Sequence, residues 1–322
     1  MRAPAFWYRN DVASALLSPL GWLWAVGAQV RAARSPRHRS PVPVVCVGNL
    51  SAGGAGKTPV AEAIAQLIPG AHFLSKGYGG KEIGPLRVDP SRHGYQQVGD
   101  EPLLLAEVAP TWIAKDRIAG ADAASAAGAS CLVMDDGFQD PGLEKDLSIL
   151  VVDGAVGFGN ERCIPAGPLR EPVETGLKRA DAVVILGEDK HNIVGRVSPK
   201  PVLRAWLEPE AEATVLAGRK VVAFAGIGRP AKFFHTVESL GAHLVEAYAF
   251  PDHYPFHPQE IGELQVAANN HNAFLVTTSK DFIRVPVNMR DQIGVVQMNV
   301  TWENEAALLG VLEPVLGDRP HP

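Results

Sequence analysis

Short hydrophobic runs recur along the chain, separated by glycine-rich or charged turns. Residues 44–47, 72–74, 112–114, 131–134, 149–152 and 182–186 are strand-like and mostly apolar without alternation, as expected of strands buried on both faces. Helical spacing lies between them, most clearly in residues 57–68, where Val60, Ile64, Leu67 and Ile68 share one face. Strand and helix in alternation predict an α/β protein with a mostly parallel sheet, whose ligands gather outside the carboxyl ends of the strands. Residues 199–209 alternate and read as a strand leaving this lobe. A second, smaller α/β lobe follows, opening at RKVVAFAGIGRPAKFFHTVESLG, with strand-like residues 243–247 and a further strand within AFLVTTSKDFIRV.

The N-terminus has a different pattern. Residues 12–30, VASALLSPLGWLWAVGAQV, carry no charge, Trp7, Tyr8, Trp22 and Trp24 crowd the same end, and Arg31, Arg34, Arg37, His38 and Arg39 follow. No clear small-residue cleavage site precedes the basic cluster, which argues against a signal peptide. Pro19, Gly21, Gly27 and several Ala and Ser make a weak transmembrane span. A surface-bound helix, with tryptophans at headgroup depth and arginines on anionic lipid, fits best; the alternative is a helix packed on the protein's own core.

Residues 42–68, VPVVCVGNLSAGGAGKTPVAEAIAQLI, combine a strand, a glycine-rich loop and a helix. In Ser51, Ala52, Gly53, Gly54, Ala55, Gly56, Lys57 and Thr58 the glycines let successive N–H groups turn toward one point, and the helix N-terminus adds partial positive charge. This is a phosphate loop of the P-loop NTPase type, with Ser51 in place of the usual first glycine. Lys57 is expected on the β- and γ-phosphates of ATP and the Thr58 hydroxyl on Mg²⁺. The chain accordingly divides into an N-terminal helix and linker (1–40), a P-loop core (41–200) and a linker strand with the C-terminal lobe (201–322).

Further motifs follow predicted strand ends. SKGYGGK, residues 75–81, offers Lys76, Tyr78 and Lys81 to a phosphate or sugar, or is a plain surface turn. Asp100 and Glu101 open a helix, where acidic residues also serve as ordinary caps. CLVMDDGFQD ends an apolar strand in Asp135 and Asp136, the pairing by which P-loop proteins hold Mg²⁺. CIPAGPLREP presents Arg170 and Glu171 from a proline-stiffened loop. That arginine either stabilises charge on a transferring phosphoryl group or forms a surface ion pair. In FPDHYPFHP, His253 and His257 lack helical zinc spacing; His253 is better read as orienting a catalytic carboxylate.

Composition narrows the classes. The 322 residues are 46% hydrophobic and 20% charged, ordinary for a globular enzyme, and a net charge of −5 argues against nucleic-acid binding. Cys46, Cys131 and Cys163 are widely spaced and read as buried hydrophobes, so no metal is expected beyond nucleotide-borne Mg²⁺. No obligate protein partner is evident.

Taken in order, VGNLSAGGAGKTP, SKGYGGK, VGDEP, DDGFQD, PAGPLREP, FPDHYPF and TTSKD resemble the tetraacyldisaccharide 4′-kinase family of lipid A biosynthesis, across nearly the whole chain. The resemblance implies transfer of the ATP γ-phosphoryl group to the 4′-hydroxyl of an acylated glucosamine disaccharide 1-phosphate at the cytoplasmic face of the inner membrane. It assigns the catalytic base to Asp100, its orienting histidine to His253, and catalytic roles to Lys57 and Arg170. Metal ligation falls on Thr58, Asp135, Asp136 and Glu171, and substrate contact on Asn49, Ser75, Tyr78, Glu101 and Gln139. Lys76 and Gly80 stand where the family's arginines are expected, and Tyr254 follows His253. The competing class is a P-loop switch or assembly ATPase of the partition type, whose loop opens with a lysine where this chain has Ser51.

Overall fold

The computed structural model describes residues 4–35 and 37–316. They form two compact units. The first runs to Leu207 and resumes at Val300; the second is Glu208–Asn299.

Nine strands make the sheet associated with the first unit: β1 (Val44–Gly48), β2 (Ala71–Ser75), β3 (Leu86–Arg87), β4 (Thr111–Ile113), β5 (Cys131–Asp135), β6 (Leu147–Asp153), β7 (Ala182–Leu186), β8 (Val202–Pro209) and β13 (Met298–Trp302). Their order is β13-β8-β7-β6-β1-β5-β2-β4-β3. Pairing is parallel from β8 to β4, and β3 runs antiparallel to β4. The apolar strand runs are explained by burial on both faces. Cys46, Leu132, Met134, Leu150, Val183 and Ile185 belong to one core, and Val45, Val47, Val133, Ile149, Val151 and Val184 to the other.

Helix α1 (Val12–Arg34) contributes Ala25 to the first core, and α2 (Lys57–Gln66) contributes Val60, Ala61, Ile64 and Ala65 to the second. The C-terminal helix Glu305–Leu316 also joins the second core, through Leu308, Leu312 and Val315. Residues 300–316 therefore return to the first unit, where the sequence reading had grouped all of 201–322 with the second lobe. An i, i+4, i+7 apolar stripe shows that a helix must be buried but not on which sheet.

Helix α1 is capped by Asp11, whose side chain accepts from the Ser14 backbone N–H. Its buried residues are the small Ser14, Gly21 and Ala25; a Cβ on Gly21 would lie 2.6 Å from the Cys163 carbonyl oxygen. Its large apolar residues face out: Leu16 is 75% exposed and Trp22 66%, with Leu20, Leu23, Trp24 and Val30 also exposed. The helix thus packs on the protein by its small-residue side, leaving an apolar surface outward. Among the described residues no helix is long and apolar enough to cross a membrane.

The second unit holds four parallel strands in the order β10-β9-β11-β12: β9 (Lys220–Ala225), β10 (His243–Ala249), β11 (Phe274–Thr278) and β12 (Ile293–Val296). Phe233 and Val237 cover one face with Val221 and Ala223. On the other, Ile261 and Leu264 pack with Phe224 and Phe256.

Candidate active site

The phosphate loop joins β1 to α2. Gly56 adopts φ +81°, a left-handed conformation that favours glycine; a Cβ there would meet the movable Leu186 Cδ1 at 2.4 Å. Asn49, buried behind the loop, donates from Nδ2 to Ser51 Oγ (3.3 Å) and to the Gly53 carbonyl (3.4 Å). Asn49 thus braces the loop from behind.

Beside the loop lies β5, which places the two acidic residues. Thr58 Oγ1 donates to Asp135 Oδ2 (2.9 Å), and Lys57 Nζ lies 3.7 Å from Asp136 Oδ1. Asp135 Oδ1 is buried without a hydrogen-bond partner. Burial pushes the Asp135 carboxyl up to about 6, with Glu101 adding to the rise and Lys57 opposing it. Burial pulls Asp136 the same way, but Lys57 and Arg170 outweigh it and hold that carboxyl below the usual range. Asp136 also has φ +53°, a backbone conformation uncommon outside glycine and one that recurs at functional sites.

The third wall is the proline-stiffened loop. Leu169 bridges Ser51, Ala52 N–H donates to the Pro168 carbonyl (2.7 Å) and Arg170 N–H to the Leu50 carbonyl (2.7 Å), binding this loop along the phosphate loop. Arg170 Nη1 donates to Asp136 Oδ1 (2.8 Å) and to Gln139 Oε1 (3.1 Å). Gln139 Nε2 donates in turn to the Asn49 carbonyl (2.8 Å) and Glu171 Oε1 (3.1 Å), so its amide ties three segments together. Glu171, expected as a metal ligand, is gripped by Arg179 Nη2 at 2.5 and 2.6 Å. Among the described residues no three His, Cys, Asp or Glu side chains form a group able to hold a metal ion.

Asp100 is buried at the first turn of the helix Asp100–Val108, its Oδ1 accepting from Glu101 N–H (3.0 Å). Two motifs distant in sequence meet here. In residues 77–82, Lys81 and Glu82 N–H donate to the Gln96 and Gln97 carbonyls, and Gly80 packs so tightly on residues 97–99 that a Cβ would lie 2.5 Å from the Gln97 oxygen. Ser75 ends β2, buried; Tyr78 is 75% exposed, and Lys76 pairs with Asp140 (3.3 Å).

Three contributors escape a reading by motif. Arg117 is buried, donates to the Leu74 carbonyl (2.7 Å) and has an unpartnered Nε. Burial lowers its pKa, and the charges of Asp140, Asp136 and Asp135 resist that shift. Glu62 on α2 is pushed up to about 7 by burial and by the charges of Asp135 and Glu107. Arg179 holds Glu171. The available signal was Arg117 just past β4 and a lone carboxylate among the apolar residues of α2.

In the second unit His253 has φ +58° and its N–H donates to the Gly226 carbonyl (3.1 Å). Lys280 Nζ lies 3.3 Å from its Nε2, and Asp252 Oδ1 3.9 Å. Gly226 is also anchored by the buried Asp281–Arg284 pair, with Asp281 Oδ1 accepting from its N–H (2.9 Å).

Comparison with known proteins places this geometry. The family model for tetraacyldisaccharide-1-P 4′-kinase matches residues 13–316. The chain belongs to the tetraacyldisaccharide 4′-kinase family. It is 50% identical to the tetraacyldisaccharide 4′-kinase of Rhodospirillum rubrum over 99% of this chain and 100% of the relative. It is 51% identical to that of Rhodospirillum centenum over 99% and 98%. The fold matches a crystal structure of an "apo" form of LpxK from Aquifex aeolicus in complex with ATP, with TM-score 0.78, 28% identity and coverage of 94% of this chain and 99% of that one. In this member of the family a lysine, an arginine and two unlike carboxylates lie around the phosphate loop.

Proposed function

We propose that this chain transfers the γ-phosphoryl group of ATP to the 4′-hydroxyl of a tetraacylated glucosamine disaccharide 1-phosphate. The observation that carries the reading is the convergence of Lys57, Thr58, Asp135, Asp136 and Arg170 at the phosphate loop of a chain in this family. Backbone N–H groups of residues 51–58 and Lys57 would hold the phosphates, and Arg170 would stabilise charge on the group in transfer. Asp100 is the proposed base for the acceptor hydroxyl, and His253 keeps the proposed role of supporting that base.

The donor set also fits Mg²⁺. Asp135 Oδ1 is a buried oxygen with nothing to accept, next to the Thr58 hydroxyl and Asp136. Bound there with nucleotide, the ion would neutralise phosphate charge. Glu171 would add a ligand once released from Arg179.

The acceptor is a lipid, and α1 suits its location. The exposed Leu16, Leu20, Trp22, Leu23 and Trp24, followed by Arg31, Arg34, Arg37 and Arg39, match a membrane surface with anionic headgroups. We place the enzyme peripherally on the cytoplasmic face of the inner membrane.

The test is transfer of label from γ-labelled ATP to the acylated disaccharide 1-phosphate in mixed micelles with Mg²⁺. Labelled bisphosphorylated lipid, lost in Lys57→Ala, supports the kinase. Hydrolysis of ATP with no lipid label would favour the partition-type ATPase, a reading that family membership disfavours.

A further inference from the structure

The N-terminal segment grips the loop that carries Arg170. Trp7 Nε1 donates to the Pro165 carbonyl (3.1 Å), Arg162 Nη1 to Ser18 Oγ, and Gln29 Nε2 to Thr175 Oγ1 (3.4 Å). Trp24 Nε1 donates to the carbonyl of Arg170 itself (3.0 Å). The Arg170 backbone is therefore held from two sides: its N–H by Leu50 at the entrance to the phosphate loop, its carbonyl by a tryptophan on α1. Trp24 belongs to the outward apolar surface and is 50% exposed. In water, solvent competes for that carbonyl and for the indole N–H, and the net worth of the bond is small. At headgroup depth the same indole lies where tryptophan partitions well, water thins out and the lower dielectric strengthens the bond.

We propose that Trp24 is a positioning residue through which the seating of α1 on a lipid surface orders the Arg170 loop, so that membrane binding raises turnover as well as bringing the enzyme to its substrate. The proposal rests on the catalytic role of Arg170 given above. No bond is made or broken by Trp24; it acts only by fixing the backbone from which the guanidinium reaches Asp136.

Trp24→Phe tests it, because phenylalanine keeps an apolar ring on the surface and removes the one donor. The variant is expected to unfold at the wild-type temperature without lipid and to co-sediment with phosphatidylglycerol-containing vesicles as wild type does. Its kcat on vesicle-borne acceptor should fall about threefold to tenfold, the scale of one hydrogen bond, with KM for ATP unchanged. That deficit should shrink with a deacylated, soluble acceptor. Backbone hydrogen exchange gives a readout independent of catalysis: in wild type, residues 163–172 should gain protection on adding vesicles, and in the variant they should gain less. An equal deficit with both acceptors, a deficit that merely tracks lost vesicle binding, or no added protection in wild type would overturn the proposal. Vesicle-induced protection that depends on Trp24, in a protein that phosphorylates no lipid, would leave the coupling standing and remove the kinase reading instead.

Discussion

The Thr58 hydroxyl and the Asp135 carboxylate meet at 2.9 Å although 77 residues separate them, and the second Asp135 oxygen has no partner at all. The pairing exists because β5 lies directly beside β1, so that the strand ending in two carboxylates runs next to the strand that enters the phosphate loop. A charge is held there at a cost in stability, with one buried oxygen left without a hydrogen-bond partner.

That cost predicts a pH dependence. Burial holds the Asp135 and Glu62 carboxyls at about 6 and about 7 in the folded protein, above their ordinary 3.8 and 4.5. Both therefore bind protons more tightly in the folded protein, so each contribution favours folding at low pH and is lost as pH rises from the unfolded toward the folded value. Glu62→Gln should stabilise the nucleotide-free protein by about 1–3 kcal/mol at pH well above 7 and by little at pH near 4, measured by thermal or urea unfolding. A variant no more stable than wild type at high pH would show Glu62 to be relaxed by solvent.

Arg170 contributes a planar fork, one arm of which meets Asp136 and Gln139. Arg170→Lys keeps the charge but not the geometry, and is expected to lower kcat by about 10²-fold, nearly as far as Arg170→Ala. Steady-state kinetics on micellar acceptor decide this, and full rescue by lysine would reduce the role to a point charge.

Asp100→Asn removes the proposed proton acceptor while keeping the helix start and nearly the same shape. ATP affinity should stay within a few-fold of wild type while kcat falls by about 10² or more. Nucleotide binding by calorimetry beside single-turnover transfer separates the two, and normal turnover would take Asp100 out of the chemistry.

The outward face of α1 can be altered without touching its packed side. Leu16, Leu20 and Leu23, all exposed, replaced together by serine should leave the unfolding temperature nearly unchanged and sharply reduce co-sedimentation with anionic vesicles. Deleting residues 1–35 is a harsher change, because it also strips Trp7, Ser18 and Trp24 from the Arg170 loop and Gln29 from the helix that follows it. Undiminished vesicle binding by the triple serine variant would place lipid contact elsewhere.

What the sequence alone determined is what contiguous residues do. A buried strand, a glycine-rich loop and a helix opening in Lys-Thr-Pro sit within 25 residues of one another, so local backbone preference and N–H geometry specify the phosphate cradle. The uninterrupted apolar runs likewise announced strands covered on both sides, and the ordered set of motifs the family. Tertiary structure decided which distant pieces share a neighbour. Strand order brought Asp135 to Thr58, and turned Asn49 and Gln139 into braces around the loop. It also buried Arg117 and half-buried Glu62 near the carboxylates and sent the C-terminal helix back to the first sheet. The orientation of α1 belongs to the same class. Its composition suggests a lipid-facing helix or a packed one, and it is packed by its small side, Ser14, Gly21 and Ala25, with Gly21 leaving room for the Cys163 carbonyl, and open on its large one. Side-chain periodicity states how much of an element must be covered; only the order of strands, fixed by contacts between residues far apart in the chain, states by what.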